Sequence, residues 1–338
     1  MDSTFIIAEA GANHNGSFEQ ACALIDAAAN AHATAVKFQT YSADTLYSAH
    51  TPDFAGYKDV KNLIKSIELP RSWQQDLKSY CDDKGIEFIS TPFDEAAIDE
   101  LYSIGVKRYK IAGFEATDPR FVKCVASTNL PLIITSGIGS NIQMVREIVG
   151  WVYDVNPMAD ITILHGNNAY PTPFEDAGLN QIDRLQESIP NVTVGLSDHT
   201  PGILVPPLAV AKGARVIEKH YTLSRLLPGP DHPFAIEPPE LTQLVKAIRS
   251  AELVCQGKKG NFSASEERFA TGMRSVVTKR PIRKGELLTL ENLTTKRPYL
   301  EDSIAALHFY DTLGMIAALD MTEDHIMRRG QALEKNCK

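Results

Sequence analysis

Short apolar runs alternate with longer segments of helical spacing over the first 255 residues of the chain. The runs are typical of buried strands, whereas apolar residues that recur every three to four positions indicate amphipathic helices. The predicted strands are residues 5–8, 35–38, 87–89, 108–111, 132–134, 161–164, 192–196 and 216–217. The predicted helices are residues 18–30, 72–84, 95–104, 120–128, 142–155, 179–188, 203–212 and 239–255. Eight strands that are each followed by a helix over about 250 residues predict an α/β fold, a (β/α)8 TIM barrel.

Two segments depart from this alternation. Residues 41–65 form an unusually long connection after the second strand, and we interpret them as part of a lid over the barrel. Residues 256–272 are polar and contain Gly and Ser, which is typical of a linker. Residues 273–338 show brief strands and turns, so the predicted domains are a barrel over 1–255, a linker over 256–272 and a small β-rich domain over 273–338. We expect this second domain to pack against a barrel, because so short a chain buries only a marginal core.

Composition and charge narrow the function classes. Apolar residues make up 43% of the 338-residue chain, which is ample for a core, and the net charge of −8 argues against a nucleic-acid partner. Residues 273–338 carry 11 basic and 9 acidic side chains, so residues 1–272 carry a strongly negative net charge. An anion-binding site in this acidic part of the chain needs basic side chains within the site itself. The five cysteines lack metal or redox spacing, and neither a signal peptide nor a membrane-spanning run is apparent. We therefore expect a cytoplasmic enzyme with no membrane association.

Polar side chains follow the predicted strands at their C-terminal ends. They are Glu9 after strand one, Lys37 and Gln39 on strand two, Ser90 and Thr91 on strand three, Lys110 on strand four, Thr135 on strand five, Asn168 and Tyr170 after strand six, Ser197 and His199 on strand seven, and Glu218 and His220 on strand eight. Active sites of such barrels form at this face. The pattern therefore predicts one site at the mouth of the barrel.

His199 and His220 end the seventh and eighth predicted strands, which a helix connects. Such a crossover makes the strands parallel neighbours, so the two imidazoles are expected side by side at one sheet edge. With carboxylates beside them, they are typical of a divalent metal site with open positions. The alternative is a pair of capping histidines whose nitrogens bond to the backbone.

Lys37 and Lys110 are cations in an acidic body. With Ser90, Thr91, Thr135, Asn168 and Ser197 they are suited to a small phosphorylated carboxylate, although the hydroxyl residues are equally suited to cap helices. Lys110 is also a candidate for Schiff-base formation. Glu9 and Glu218 are candidates for proton transfer or metal support, and Asp231 lies in a stiff Pro-Gly-Pro turn that aims it at a polyhydroxylated substrate or only shapes the loop.

These motifs together resemble one known family, the sialic acid synthases and the wider group that makes nonulosonic acids from phosphoenolpyruvate and an N-acylated hexose. The segments that carry the resemblance are AEAGANHNG at 8–16, VKFQT at 36–40, STPF at 90–93, YKI at 109–111, NAYPTP at 168–173, LSDHT at 196–200, EKH at 218–220 and GPDH at 229–232. They occur in the family's order over nearly the whole chain, and the tail resembles the antifreeze-like (SAF) domain of such synthases. The chain departs from the family at Gly113, where Ser is common, and at Tyr299, where Gly usually follows Arg297-Pro298.

The resemblance implies roles for individual residues. His199 and His220 would bind a divalent ion, manganese or magnesium with cobalt as a further candidate. Lys37, Thr91, Lys110, Asn168 and Ser197 would hold phosphoenolpyruvate, and Glu9, Gln39, Tyr170 and Asp231 would face the sugar. Glu218 would assist near C2 of phosphoenolpyruvate, and Arg297 would reach the N-acyl group in the barrel of a partner subunit. The implied assembly is a domain-swapped homodimer, with the tail of one chain over the barrel of the other.

The sequence is compatible with three functions. The first is the metal-dependent condensation of phosphoenolpyruvate with an N-acylated hexose such as N-acetylmannosamine. The second is a metal-independent Schiff-base aldolase or lyase that uses Lys110. The third, suggested only by the tail, is a non-catalytic carbohydrate-binding or ice-binding protein.

Overall fold

Eight parallel strands form the first sheet of the protein, in a computed structural model that describes residues 3–53, 56, 58–139, 141–257, 260 and 262–334. The strands are β1 Phe5–Glu9, β2 Ala35–Thr40, β3 Glu87–Pro92, β4 Tyr109–Ile111, β5 Leu132–Thr135, β6 Ile161–Gly166, β7 Thr193–Asp198 and β8 Val216–His220. Their hydrogen-bonded order is β3-β2-β1-β8-β7-β6-β5-β4, and β3 and β4 also lie next to each other. The sheet therefore curls into a barrel, which confirms the predicted fold class.

Helices follow the strands and cover the outside of the barrel. The first ten are α1 Phe18–Asn30, α2 Ala43–Leu46, α3 Val60–Ser66, α4 Gln74–Lys84, α5 Glu95–Ser103, α6 Pro119–Ala126, α7 Ile142–Val155, α8 Asn180–Ser188, α9 Val205–Ala211 and α10 Pro238–Gln256. Local chemistry sets several boundaries: Ser17, Asp94 and Asn141 each accept a backbone N–H of the first turn, and Gly85 ends α4 with φ +70°. No described helix has the length and hydropathy needed to cross a membrane.

The connection after β2 differs from the long loop predicted over residues 41–65. It contains α2 and α3 within the residues that the structure describes, while residues 54, 55 and 57 lie outside them. Val60, Leu63, Ile64 and Ile67 repeat at helical spacing, which is the signal that the sequence interpretation missed. The lid interpretation itself stays a prediction.

Two layers of apolar side chains build the barrel unit. Residues such as Ile6 and Ala8 face outward and pack with the helices. A separate cluster with one residue from most strands fills the interior: Ile7, Ala35, Ile89, Ile133, Leu164 and Val216. Because successive side chains of a strand alternate between faces, the residue two positions after each interior residue points into the barrel as well.

The chain folds into two compact units, Met1–Gln256 and Gly257–Lys338. The second unit contains α11 Ala264–Glu267, β9 Ser275–Thr278, β10 Leu293–Lys296, α12 Phe309–Thr312, β11 Ile316–Ala317 and β12 Ala332–Leu333. Two antiparallel pairs, β9 with β10 and β11 with β12, enclose a small core that includes Val276, Leu288 and Met327. The short helix α11 lies within the predicted linker, of which residues 258, 259 and 261 are outside the described part of the chain.

Candidate active site

The residues two positions beyond the interior core reach the mouth of the barrel. Glu9, Lys37, Thr91, Thr135 and Glu218 each follow an interior apolar residue by two positions, and all five line one cavity of about 450 Å³. Strand alternation thus places a layer of apolar side chains in the interior of the barrel and a ring of polar side chains one layer closer to its mouth.

The cavity brings together 13 of the 15 predicted site residues. They are Glu9, Lys37, Gln39, Thr91, Lys110, Thr135, Asn168, Tyr170, Ser197, His199, Glu218, His220 and Asp231. Ser90 does not line it: its hydroxyl lies 2.7 Å from the hydroxyl of Thr40, because residue 90 has the opposite strand parity to Thr91. Arg297 belongs to the second unit, where its side chain is exposed after β10.

Two lysines and two glutamates form a buried network of alternating charge at the base of the cavity. Lys37 Nζ lies 2.8 Å from Glu9 Oε2 and 3.7 Å from Glu218 Oε2, and Lys110 Nζ lies 3.2 Å from Glu218 Oε1. Lys37 also donates to Thr91 Oγ1 at 3.2 Å. All four charged side chains are at most 6% exposed, so each needs its opposite charge to offset the loss of hydration.

The two glutamates differ in acidity although they share Lys37. Burial raises the pKa of Glu9 to about 7, an effect that Lys37 only partly opposes. Burial also favours the protonated form of Glu218, but Lys110 and Lys37 outweigh it and lower the pKa to about 2. Burial lowers the pKa of Lys110, whereas Glu218 and Glu9 overcome burial at Lys37 and raise its pKa. Near neutral pH, Glu9 is therefore the group that exchanges a proton and Glu218 stays ionised.

His199 and His220 lie side by side, as predicted, with ring centroids 5.4 Å apart. The Nδ1–H of His199 donates to Asn167 O at 2.5 Å, which leaves Nε2 as the unprotonated nitrogen. Nδ1 of His220 is buried without a hydrogen-bond partner in the described structure. Burial lowers the pKa of His199 to about 4 and that of His220 well below its ordinary value, so both rings are neutral.

Neutral imidazoles with free nitrogens are the form that binds divalent metals. Within the described ranges, no group of three or more His, Cys, Asp and Glu side chains is arranged to hold a metal ion. His199 and His220 by themselves would supply two nitrogen ligands, and the remaining positions of an ion there would be open to water or substrate.

The mouth of the barrel also carries hydrogen-bonding groups suited to a polyol. Gln39 Nε2 donates to Glu9 Oε1 at 2.7 Å, and the carboxylate of Asp231 accepts the N–H of Ala12 at 3.3 Å. Gly11, with φ +52°, permits this approach, because a Cβ there would lie 2.7 Å from Asp231 Oδ2. The ring of Tyr170 packs 4.2 Å from that of His199 and remains 46% exposed, so it presents a face to the cavity.

Glu115 is a cavity residue that the sequence interpretation missed. Its Oε2 is buried with no hydrogen-bond partner in the described structure, and burial raises its pKa. It lies in a 3-10 helix, Glu115–Thr117, beyond the end of β4. Because Glu115 lies beyond the end of β4, the pattern of polar residues at strand ends did not indicate it.

Gly113, a departure from the resembled family, lies close to Asn168 and to the backbone of Ser136. A Cβ at Gly113 would lie 3.1 Å from Asn168 Oδ1 and 3.2 Å from Ser136 O. A side chain at 113 would therefore require a small shift of Asn168. Thr135, which also lines the cavity, has a buried Oγ1 with no hydrogen-bond partner in the described structure.

Comparison with known proteins finds related families, sequences and structures. The family model described as the NeuB family matches residues 24–260, and that of the SAF domain matches residues 273–328. The chain is 41% identical to N,N'-diacetyllegionaminic acid synthase of Legionella pneumophila, over 87% of this chain and 85% of that protein. It is 35% identical to the Campylobacter jejuni protein of the same name, over 97% of this chain and 100% of that protein. Among solved structures, the N-acetylneuraminic acid synthetase of Leptospira borgpetersenii in complex with citrate matches with TM-score 0.72 and 34% identity, over 79% of this chain and 90% of that one.

Proposed function

The chain belongs to the NeuB family, and from this premise we propose that it condenses phosphoenolpyruvate with an N-acylated amino sugar to give a nonulosonic acid and phosphate. Relatives named as legionaminic, pseudaminic and N-acetylneuraminate-9-phosphate synthases support the reaction class. The observation that carries the proposal is the buried Glu9–Lys37–Glu218–Lys110 network in one cavity with two neutral histidines.

Phosphoenolpyruvate fits the base of the cavity. Lys37 and Lys110 would hold its carboxylate and phosphate by charge-assisted hydrogen bonds, with Thr91, Thr135 and Ser197 as hydroxyl donors and Asn168 as an amide donor. The added negative charge favours protonation of Glu9, whose pKa is already raised to about 7. Protonated Glu9 no longer forms an ion pair with Lys37, so the ammonium group of Lys37 is then free to bind phosphoenolpyruvate.

The sugar would enter above this base as its open-chain aldehyde. Gln39, Tyr170 and Asp231 surround the position where its hydroxyl and acylamino groups would lie. A divalent ion held by His199 and His220 would supply Lewis-acid polarisation of the aldehyde oxygen. C3 of phosphoenolpyruvate attacks the aldehyde carbon, and protonated Glu9 gives its proton to the developing alkoxide.

Completion of the reaction requires water at C2 and departure of phosphate. Glu218, ionised and within 3.0 Å of Ser197 Oγ, would orient that water and accept its proton, while Lys110 stabilises the phosphate as it leaves. Lys110 thus acts as an electrostatic clamp. Burial lowers the pKa of Lys110, which also suits a Schiff-base nucleophile, whereas the ion pair with Glu218 favours the ammonium form that the clamp needs.

Arg297 has a proposed role through the second unit. We retain the proposal that it donates to the N-acyl carbonyl in the barrel of a partner subunit, so that a domain-swapped homodimer forms the complete site. Support comes from the resemblance and from the excess of positive charge over residues 273–338, which is opposite in sign to that of the remaining chain.

The test is phosphate release from phosphoenolpyruvate in the presence of a panel of N-acylated hexoses. Acceptor-dependent release that chelator abolishes would support the synthase. Retention of activity in chelator, with inactivation by borohydride in the presence of substrate, would instead identify the Schiff-base aldolase. If none of the acceptors in the panel supports phosphate release, the condensation is contradicted.

A further inference from the structure

Asp198 and Lys219 form a buried ion pair on the outer face of the barrel sheet. Asp198 Oδ2 lies 2.7 Å from Lys219 Nζ, and both side chains are at most 2% exposed. Leu196 and Ile217, two positions earlier on the same strands, belong to the core between the sheet and the helices, so the pair points away from the cavity as they do. Neither charged residue is among the described residues that line the cavity. The pair is therefore a feature of the outer core, behind the candidate active site.

Stability alone does not explain a charged pair at this position. The loss of hydration of two buried charges offsets most of their attraction, and apolar side chains of similar volume often stabilise a fold equally well or better. Leu196 and Ile217 show that the same face of these two strands accepts apolar side chains. Charged groups at the next outward positions therefore indicate a need for hydrogen bonds of fixed direction.

The hydrogen bonds of this pair enclose the backbone of His199. Asp198 Oδ1 accepts the N–H of Thr200 at 3.1 Å and the hydroxyl of Thr200 at 2.8 Å, which is the pattern of an Asx turn. Lys219 Nζ donates to Asp198 Oδ2 and also to the carbonyl oxygen of Thr200. One ammonium group thus holds the residues on both sides of His199.

His199 needs such contacts because it lies beyond the ladder of the sheet. The register of β7 with β6 ends at Ser197, and the register of β7 with β8 ends at Asp198. His220, by contrast, is still paired with Glu9 of β1. The sheet therefore fixes the backbone of His220 and leaves that of His199 to contacts from side chains and loops.

From these contacts we propose that Asp198 and Lys219 are positioning residues, which orient the imidazole of His199 from the outer face of the barrel. His199 Nδ1 lies 2.5 Å from Asn167 O, and this bond leaves Nε2 free for a ligand. When the pair is broken, the backbone next to His199 can turn, and the bond to Asn167 loses its fixed geometry. The proposed divalent ion would then lose a nitrogen ligand. The inference rests on the proposed function for the metal, whereas the orientation of His199 is measured without it.

Two variants and a control separate positioning from a general loss of stability. Lys219→Met leaves the carboxylate of Asp198 uncompensated. The double variant Asp198→Leu with Lys219→Met removes both charges and should regain stability relative to Lys219→Met. Ile148→Ala is the control, because Ile148 is fully buried on α7 and its truncation leaves a cavity without removing any of these hydrogen bonds. All proteins are compared at a temperature at which circular dichroism shows them to be folded.

The first readout is the tautomer of His199 in the metal-free protein, from nitrogen-15 spectra of histidine-labelled enzyme in which His199→Gln identifies the signals. The wild type and Ile148→Ala should show the Nδ1–H form alone. Lys219→Met and the double variant should also show a form with the proton on Nε2, because a ring that no longer donates to Asn167 takes either tautomer. The Nδ1–H form alone in the double variant would overturn the inference, as would the Nε2–H form in the wild type.

The second readout is the dissociation constant of Mn²⁺, from the electron paramagnetic resonance signal of the free ion. Loss of the groups that orient a metal-binding histidine lowers metal affinity by about 10- to 100-fold, so Lys219→Met and the double variant should bind Mn²⁺ at least about 10-fold more weakly. Ile148→Ala should match the wild type. Equal affinity in all four proteins would overturn the inference. If the wild type does not bind Mn²⁺, the proposed metal site fails, and the tautomer of His199 alone decides whether the pair positions this ring.

Discussion

Lys110 Nζ and Glu218 Oε1 lie 3.2 Å apart across the interior of the barrel. Lys110 belongs to β4 and Glu218 to β8, four strands away in an eight-stranded ring, so the ion pair joins opposite walls. Both side chains are at most 6% exposed. An anion that binds Lys110 must therefore compete with Glu218 for the ammonium group. The strength of this ion pair thus affects how tightly an anion binds at the base of the cavity.

Loss of the Lys110 ammonium should weaken phosphoenolpyruvate binding. Hydrogen bonds to charged groups contribute about 1.5–3 kcal/mol, so Lys110→Met should raise the dissociation constant roughly 10- to 150-fold, as measured by calorimetry. Lys107→Met is the control, because Lys107 is exposed and precedes the same strand. An unchanged dissociation constant in Lys110→Met would contradict the clamp.

Metal binding should depend on both histidines. Added Mn²⁺ should raise the thermal unfolding midpoint of chelator-treated protein, because a ligand that binds only the folded state stabilises it. This shift should disappear in His199→Ala and in His220→Ala, and should persist in His308→Ala, whose exposed ring contacts Asp311 in the second unit. Mg²⁺ and Co²⁺ are the further ions to test. Equal shifts in all four proteins would argue against the site.

Glu9 should make stability depend on pH. Its folded pKa of about 7 lies above the ordinary value of 4.5, so the folded state binds the proton more tightly than the unfolded state. The resulting stabilisation is fully present below about pH 4.5 and is lost as the pH rises through about 7. The free energy of unfolding of the wild type minus that of Glu9→Gln should therefore fall by roughly 3 kcal/mol over this window in denaturant titrations. A difference that is flat or rises with pH would refute the assignment.

Lys219 should be essential for folding stability. It forms a buried ion pair with Asp198 at 2.7 Å, and removal of one partner leaves an uncompensated buried charge. Lys219→Met should lower the free energy of unfolding by about 3–5 kcal/mol. The exposed pair of Lys123 with Asp154, at 2.9 Å, is the comparison, and Lys123→Met should cost less than about 1 kcal/mol. Similar losses in the two variants would show that burial is not the deciding factor.

Arg297 should act on the sugar and across subunits. Arg297→Ala should raise the sugar KM or lower kcat while it spares the affinity for phosphoenolpyruvate, whereas Arg283→Ala, another exposed arginine of the second unit, should not. Co-refolding of Arg297→Ala with His199→Ala chains should restore activity, because one intact barrel then meets one intact arginine. Mixtures no more active than their components would argue for action within one chain, and a monomer by light scattering would exclude exchange.

The order of strands and helices, and the face that carries the site, followed from the sequence alone. Apolar periodicity identified all eight barrel strands, and polar residues at strand ends located the mouth of the barrel. Local rules suffice here because strand and helix periodicities are properties of neighbouring residues, and because parallel strands place all their C-terminal ends on one side.

Only the tertiary structure decided which polar residues face the cavity and how they are charged. Thr91 enters the cavity and Ser90 does not, because the register of β3 in the closed ring sets which parity points inward. The pKa values of Glu9 and Glu218 diverge through burial and through lysines that are distant in sequence. Glu115 reaches the cavity from the turn after β4, and Val60, Leu63 and Ile64 reach it from α3, beyond the end of β2. Burial, long-range charge and turn geometry depend on the whole fold, and these quantities determine the chemistry of the site.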